Sequence, residues 1–245
     1  MLNYKLTVAY DGSRYKGWQR LGFEHTVQGK LEEVLSQMFD QKIEIIGAGR
    51  TDAGVHALGQ VANFKTDAAA APEEIKNYLN RYLPDDISIV EAQRAAESFH
   101  ARYMASAKIY CYRIWNRPEP NPFHRKYSLH IPQKLDLTPL RQATPEFVGS
   151  HDFSAFTTAK SKKKSMVREI YGIWVEEKEG FVEIRIRGNG FLHNMVRRMV
   201  GTLIEISAGR LAAEKLSELL EKGDRSGVPR VAEAKGLFLE KVEFE

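Results

Sequence analysis

The sequence predicts an α+β fold: two ferredoxin-like (split βαβ) units joined in an extended, mainly antiparallel sheet. Three observations lead there. Along the first hundred residues, period-2 and period-3.6 apolar patterns succeed one another in the order β-α-β-β-α-β. The second half runs β-α-β-β-α-α-β, close to a repeat of that order. The chain has 245 residues, 43% of them hydrophobic, which supplies apolar mass for one large core or two small ones. The expected boundary gives an N-terminal unit of residues 1–104 and a C-terminal unit of residues 105–245.

Each element rests on its own residues. Tyr4, Leu6, Val8 and Tyr10 alternate with Lys5, Thr7 and Ala9, a strand that Asp11-Gly12 ends. Thr26 can cap a helix whose apolar stripe is Val27, Leu31, Val34, Leu35 and Met38. Ile43 to Ile46 is a short β-branched run, and Val55 to Phe64 contains another strand. Pro72 can open a helix carrying Ile75, Tyr78, Leu79 and Tyr82. Ile87, Ile89 and Val90 mark the next strand. Lys108 to Trp115 alternates again, followed by a Pro-rich loop from Arg117 to Pro132. Leu137 to Phe147 reads as a helix that Pro139 and Pro145 keep short. Val167 to Glu177 and Phe181 to Arg187 read as strands separated by Lys178-Glu179-Gly180. Leu192 to Ala208 reads as a helix closed by Gly209. A helix from Leu211 to Leu220 and a strand near Leu237 to Phe244 complete the order.

Composition narrows the class. No apolar run has the length of a membrane span, and Met1 to Leu6 carries no secretory signal pattern, so a cytoplasmic protein is expected. Cys111 is the single cysteine, which excludes an intramolecular disulfide and argues against a cysteine metal site. The net charge of +4 is a mild excess. Its distribution is more informative. Lys160, Lys162, Lys163, Lys164 and Arg168 form a basic run, and Arg113, Arg117, His124, Arg125, Lys126 and His130 sit among aromatics. Cations suit phosphate and rings suit unpaired bases, so this mixture fits a nucleic acid, although a solvated loop fits it equally well.

The stretch that can carry chemistry is Gly47-Ala48-Gly49-Arg50-Thr51-Asp52-Ala53-Gly54-Val55-His56-Ala57, between two predicted strands. Its glycines allow tight turns and close approach of a ligand. An aspartate has a pKa near ~3.9 in isolation, and a neighbouring arginine keeps it ionised, so Asp52 could serve as nucleophile or base. By spacing alone an ordinary turn, with Asp52 as a helix cap, accounts for the stretch better than catalysis does. A phosphate loop fails because no Gly-Lys-Ser/Thr ending is present.

Taken whole, the stretch resembles the signature of the tRNA pseudouridine synthase A family. Other segments are similar to that family's motifs in the expected order. They are Tyr10-Asp11-Gly12, Gly17-Trp18-Gln19 and Thr26-Val27-Gln28; Phe99-His100-Ala101-Arg102 with Lys108 to Tyr112; Gly149 to Phe156; Phe191 to Arg197; and Gly236-Leu237. The resemblance implies that Asp52 is the essential aspartate, that Tyr110 packs on the target base, and that Arg197 pairs with the aspartate, with Arg50 in the signature itself. It implies two α+β units around a common sheet and a homodimer working without metal or cofactor. The implied partner is tRNA, at uridines 38 to 40 of the anticodon arm, with no role for DNA or a membrane. Leu21 stands where glutamine is frequent in the family, Asn63 where histidine is common, and residues 157–164 are unusually rich in lysine.

The implied reaction breaks the N1–C1′ bond of uridine, turns the base and joins C5 to C1′. Asp52 could attack C1′ or C6, or take the C2′ proton to give a glycal. The base must first leave its stack, which costs roughly a few kcal/mol. Two other readings compete. A non-catalytic RNA-binding protein with two recognition-motif-like units would share the topology, but no stretch carries the aromatic signature of such units. A nucleoside glycosidase would need a second carboxylate, for which Asp152 is the candidate. His151-Asp152 and His193 lack the Gly-x-Ser-x-Gly elbow of a hydrolase, and His56, His151 and His193 lack metal-ligand spacing, so each is expected to be structural.

Overall fold

Alternation decides the central strand. In β1 (Leu2–Tyr10), Tyr4, Leu6, Val8 and Tyr10 are buried while Lys5, Thr7 and Ala9 are half-buried on the other face. The computed structural model describes residues 1–22, 25–158 and 165–244. Within them β1 pairs antiparallel with β3 (His56–Thr66) on one side and β4 (Ile87–Ala95) on the other. The short β2 (Ile45–Gly47) pairs antiparallel with β3 through Ile45↔Phe64 to Gly47↔Ala62. The resulting order β4-β1-β3-β2 is that of a split βαβ unit.

The two helices of this unit follow their sequence signals. α1 (Val27–Phe39) starts where the Thr26 hydroxyl accepts a hydrogen bond from the Gly29 amide at 3.3 Å. Val27, Leu31, Val34 and Leu35 face inward. α2 (Pro72–Tyr82) opens on Pro72 and buries Ile75 and Leu79. α1 packs on β2 and α2, and α2 packs on β4. Each fully buried aliphatic side chain stabilises by about 1.5–3 kcal/mol, so this face holds the unit together. On the sheet itself, Tyr4 stacks on Phe64 at 5.4 Å.

The strand β10 (Leu237–Phe244) is the far-travelled member. It pairs parallel with β3 at Phe238↔His56 and Leu239↔Ala57, below the stretch that β2 occupies. The compact units are therefore Met1–Ser106 with the chain from Phe238 onward, and Ala107–Leu237. The first is discontinuous in sequence. Gly59 permits the close approach, because a Cβ there would lie 2.7 Å from the Glu240 carbonyl oxygen.

In the second unit β5 (Ala105–Trp115) pairs antiparallel with β9 (Phe181–Gly188), and β9 with β8 (Val167–Lys178). The β8–β9 turn is Glu179-Gly180, with φ of 55° and 89°, the two left-handed residues that a two-residue hairpin turn requires. β6 (Leu129–His130) adds parallel to β5, inside the segment expected to be wholly loop. α3 (Leu137–Ala143) stops before Pro145, and a 3-10 turn, Thr144–Phe147, replaces the rest of the expected helix. β7 (Gly149–Asp152) was not legible as a strand, since its four residues show no apolar alternation; it pairs with β8. α4 (Met195–Ser207) begins three residues later than the pattern suggests because Asn194 has φ 60°, outside the helical region. α5 (Lys215–Lys222) starts late as well and ends at Gly223, φ 62°. Phe147, Phe153 and Phe156 pack ring to ring and are buried, as are Leu140, Met199 and Leu203, in the core of this unit. Among the described residues no helix is long and apolar enough to cross a membrane.

Candidate active site around Asp52

The loop from Gly47 to Val55 is held by main-chain bonds on both flanks. On entry, the Ala48 amide donates to the Val61 carbonyl at 2.7 Å. Gln60 then brackets Gly49: its Nε2 donates to the Gly49 carbonyl at 2.8 Å, and its Oε1 accepts from the Gly49 amide at 3.4 Å. At the centre, the buried Thr51 hydroxyl bonds the Tyr10 hydroxyl at 2.8 Å. On exit, the Val55 amide donates to the Asp52 carbonyl at 3.1 Å. Asp52 is half-buried, between the buried Thr51 and the exposed Ala53.

A second segment clamps the loop from outside. The Trp18 amide donates to the Thr51 carbonyl at 3.1 Å, and the Gly54 amide to the Tyr15 carbonyl at 3.3 Å. Two glycines are required by contact. Gly17 has φ +96°, and a Cβ there would sit 2.5 Å from the Thr51 carbonyl oxygen. A Cβ on Gly47 would meet the Trp18 indole nitrogen at 2.4 Å. Trp18 is 2% exposed, so the indole is a fixed floor under the loop entry. Gln28 carries the clamp onward. Its Oε1 accepts from the Arg20 amide and the Gln19 side chain, both at 3.0 Å, and its Nε2 donates to Glu32 at 2.8 Å. The opening motif is thus the seat of the aspartate loop.

The buried polar groups near the loop have hydrogen-bond partners. Burial raises the Tyr10 hydroxyl pKa well above the usual tyrosine range, so it stays protonated beside Thr51. His56 is 1% exposed; its Nδ1 accepts from the Gly12 amide at 3.0 Å, and its ring stacks on Phe238 at 4.7 Å. The Asp11 carboxylate lies 3.2 Å from the same nitrogen. Asn63 bonds Asn3 at 3.1 Å and accepts from the Ala101 amide at 2.8 Å, tying the Phe99-to-Arg102 motif to β3.

The other expected site residues are placed as follows. Arg50 is exposed and makes no ion pair among the described residues. Tyr110 is 6% exposed on β5, with its ring edge-on to Phe191 at 5.1 Å. Arg197 lies in the first turn of α4, where Nε donates to the Ala232 carbonyl at 2.6 Å and Nη1 to the Asn194 side chain at 2.8 Å. Its charge opposes the burial that raises the pKa of Tyr112, whose hydroxyl donates to the Glu233 carbonyl at 2.8 Å. Asp52 and Arg50 thus belong to the first unit, and Tyr110 and Arg197 to the second. His151 bonds the Val148 carbonyl, and Asp152 accepts from the Ser154 amide at 2.8 Å; both serve local turns and lend no weight to a hydrolase or a second carboxylate. Of the basic run, Lys160, Lys162, Lys163 and Lys164 fall outside the described residues. Arg168 is described and donates to the Ser165 carbonyl at 3.0 Å. Among the described residues no cluster of three or more His, Cys, Asp or Glu could hold a metal ion.

Sequence reasoning missed Gln60 and assigned no role to Tyr10 or Gln28. The available signal was a glutamine inside an otherwise apolar strand, Val55 to Phe64, which had to satisfy its amide somewhere.

Comparison with known proteins bears on the same residues. The family model described as tRNA pseudouridine synthase matches residues 6–104 and 143–245. A protein of Bacillus cereus (strain ZK / E33L) named tRNA pseudouridine synthase A 2 is 56% identical over 245 residues, covering all of both chains. A tRNA pseudouridine synthase A of Bacillus sp. (strain KSM-64) is 55% identical over the same span, and one of Acetivibrio thermocellus is 42% identical over 244 residues.

Proposed function

This chain belongs to the tRNA pseudouridine synthase family, and from that premise we propose that Asp52 is the carboxylate that performs its isomerisation. The chain is an isomerase of tRNA uridines, and the non-catalytic RNA-binding reading has no support. The observation that carries the assignment is the double clamp on the Asp52 loop. A carboxylate carried on a backbone held at Thr51, Gly54 and Val55 meets the need of every route open to it: attack on C1′, attack on C6, or removal of the C2′ proton. Preorganisation of this kind spares the reaction the cost of ordering its nucleophile or base.

Tyr110 supplies a wall for the extruded uracil, and Arg197 directs the aspartate, with Arg50 beside it as an exposed cation for the RNA backbone. Two bonds already hold the Arg197 guanidinium, to the Ala232 carbonyl and the Asn194 side chain, so it loses little entropy on engaging an anion. The target is the anticodon arm of tRNA at uridines 38 to 40, the working form is a homodimer, and the compartment is the cytoplasm. The reaction exchanges N1–C1′ for C5–C1′ and releases the C5 proton to solvent, so it balances without an oxidant or reductant.

The test is tritium release from C5-labelled uridine in an unmodified tRNA transcript. Asp52→Asn is expected to abolish release and leave tRNA affinity within about twofold, because a neutral isostere keeps the packing. Release at the wild-type rate would remove Asp52 from the mechanism.

A further inference from the structure

The Pro-rich loop between β5 and β6 displays Phe123 with 85% of its surface in solvent, more than any other large apolar residue among those described. A single exposed apolar side chain means little by itself. What surrounds this one is informative. The loop is braced throughout: the Asn121 side chain accepts from the Phe123 amide at 3.0 Å and the His124 amide at 3.3 Å, and the Tyr127 amide donates to the His124 carbonyl at 2.9 Å. Pro122 pre-sets the turn. His124 is pinned edge-on against Phe181 at 5.0 Å. The Phe123 ring, by contrast, meets no other ring among the described residues. The backbone is thus rigid and the ring stands clear of it.

Charge along this loop is one-sided in sequence. Residues 117–132 contain Arg117, Arg125 and Lys126 against Glu119 alone, three cations minus one acid, or +2. Neither Arg117 nor Arg125 has a carboxylate partner among the described residues; Arg125 donates to the Pro122 carbonyl of its own turn at 2.5 Å. An exposed ring on a loop whose two guanidiniums have no carboxylate partner among the described residues suits a polyanion with exposed π faces. We propose that Phe123 stacks on an unpaired base of the tRNA while Arg117 and Arg125 hold the adjoining phosphates. This makes the loop a second RNA contact, separate in sequence from the Asp52 signature, and it rests on the reading of tRNA as the substrate.

Being exposed, Phe123 can be replaced without disturbing the fold, which an unchanged melting temperature would verify. The experiment measures Kd for an unmodified tRNA transcript, together with the oligomeric state, for Phe123→Ala, Phe123→Leu and Phe123→Trp. Stacking predicts that Ala and Leu both raise Kd by roughly fivefold or more while Trp keeps or improves it, with the oligomeric state constant. Leu behaving like wild type while Ala shifts the oligomeric state would overturn the proposal and assign the ring to an apolar contact between copies of the chain. Equal Kd for all variants, with wild type binding normally, would overturn it too. Failure of wild type to bind tRNA at all would instead undo the substrate reading on which it rests.

Discussion

At the scale of single residues, the hydroxyl pair of Tyr10 and Thr51 is the smallest unit on which the candidate site depends. The two oxygens lie 2.8 Å apart, both residues are buried, and together they hold the residue that precedes Asp52. Leaving one buried hydroxyl without its partner costs about 1–3 kcal/mol, whereas removing both costs less than the sum. Tyr10→Phe and Thr51→Val are each expected to destabilise by that amount and to slow single-turnover conversion with tRNA affinity unchanged. The double variant is expected to be no less stable than the worse single one. Urea titrations of all four proteins form the cycle, and strictly additive losses would mean that the pair is not coupled. The Asp52 loop could be read as a candidate because it is one continuous string. Tyr10 and Gln60 could not, because their partners lie 41 and 11 residues away and no local pattern names them, and the role of Gln28 shows only once the chain from Gln19 and Arg20 folds back on it.

At the scale of elements, glycine placement decides whether the clamp can close. Gly17→Ala would force a Cβ to within 2.5 Å of the Thr51 carbonyl oxygen in a backbone conformation that L residues avoid. The turn must then withdraw from the loop. A shift of about 1 Å in a catalytic group can cost about a hundredfold in rate, and a loss of that order in kcat is expected while far-ultraviolet dichroism stays native. Full activity in Gly17→Ala would show that the clamp is dispensable. Helices and strands with a strong local signal were the readable part of the fold: the Thr26 cap, Pro72 at a helix start, the Lys178-Glu179-Gly180 hairpin. β7 escaped because a four-residue edge strand needs only a neighbour to pair with, not an alternating pattern. The start of α4 escaped because Asn194 adopts a left-handed conformation that its side-chain bond to Thr158, at 2.8 Å, helps to hold.

At the scale of the whole molecule, the chain order and the spatial order part company at β10. The strand comes from the second half, yet Phe238, Leu239 and Val242 are buried, and Phe238 stacks on the histidine that receives the Gly12 amide. Lys5 lies over the rings of Phe99 and Phe244 in the same unit. A chain shortened after Leu237 would lose three buried side chains at about 1.5–3 kcal/mol each, a sum comparable with the entire stability of a domain. Such a chain is expected to lose amide protection along β3 and to be cut rapidly by protease; native-like hydrogen exchange there would contradict the role given to β10. The same feature sets a timetable for biosynthesis. The 131 residues from Ala107 to Leu237 must be translated before the first unit can acquire its strand, roughly 7–26 s at ordinary elongation rates of about 5–20 residues per second. For that interval the nascent polypeptide carries an open β edge at His56 and Ala57, the later-made unit is free to fold first, and a ribosome that stalls within it releases no half-competent enzyme.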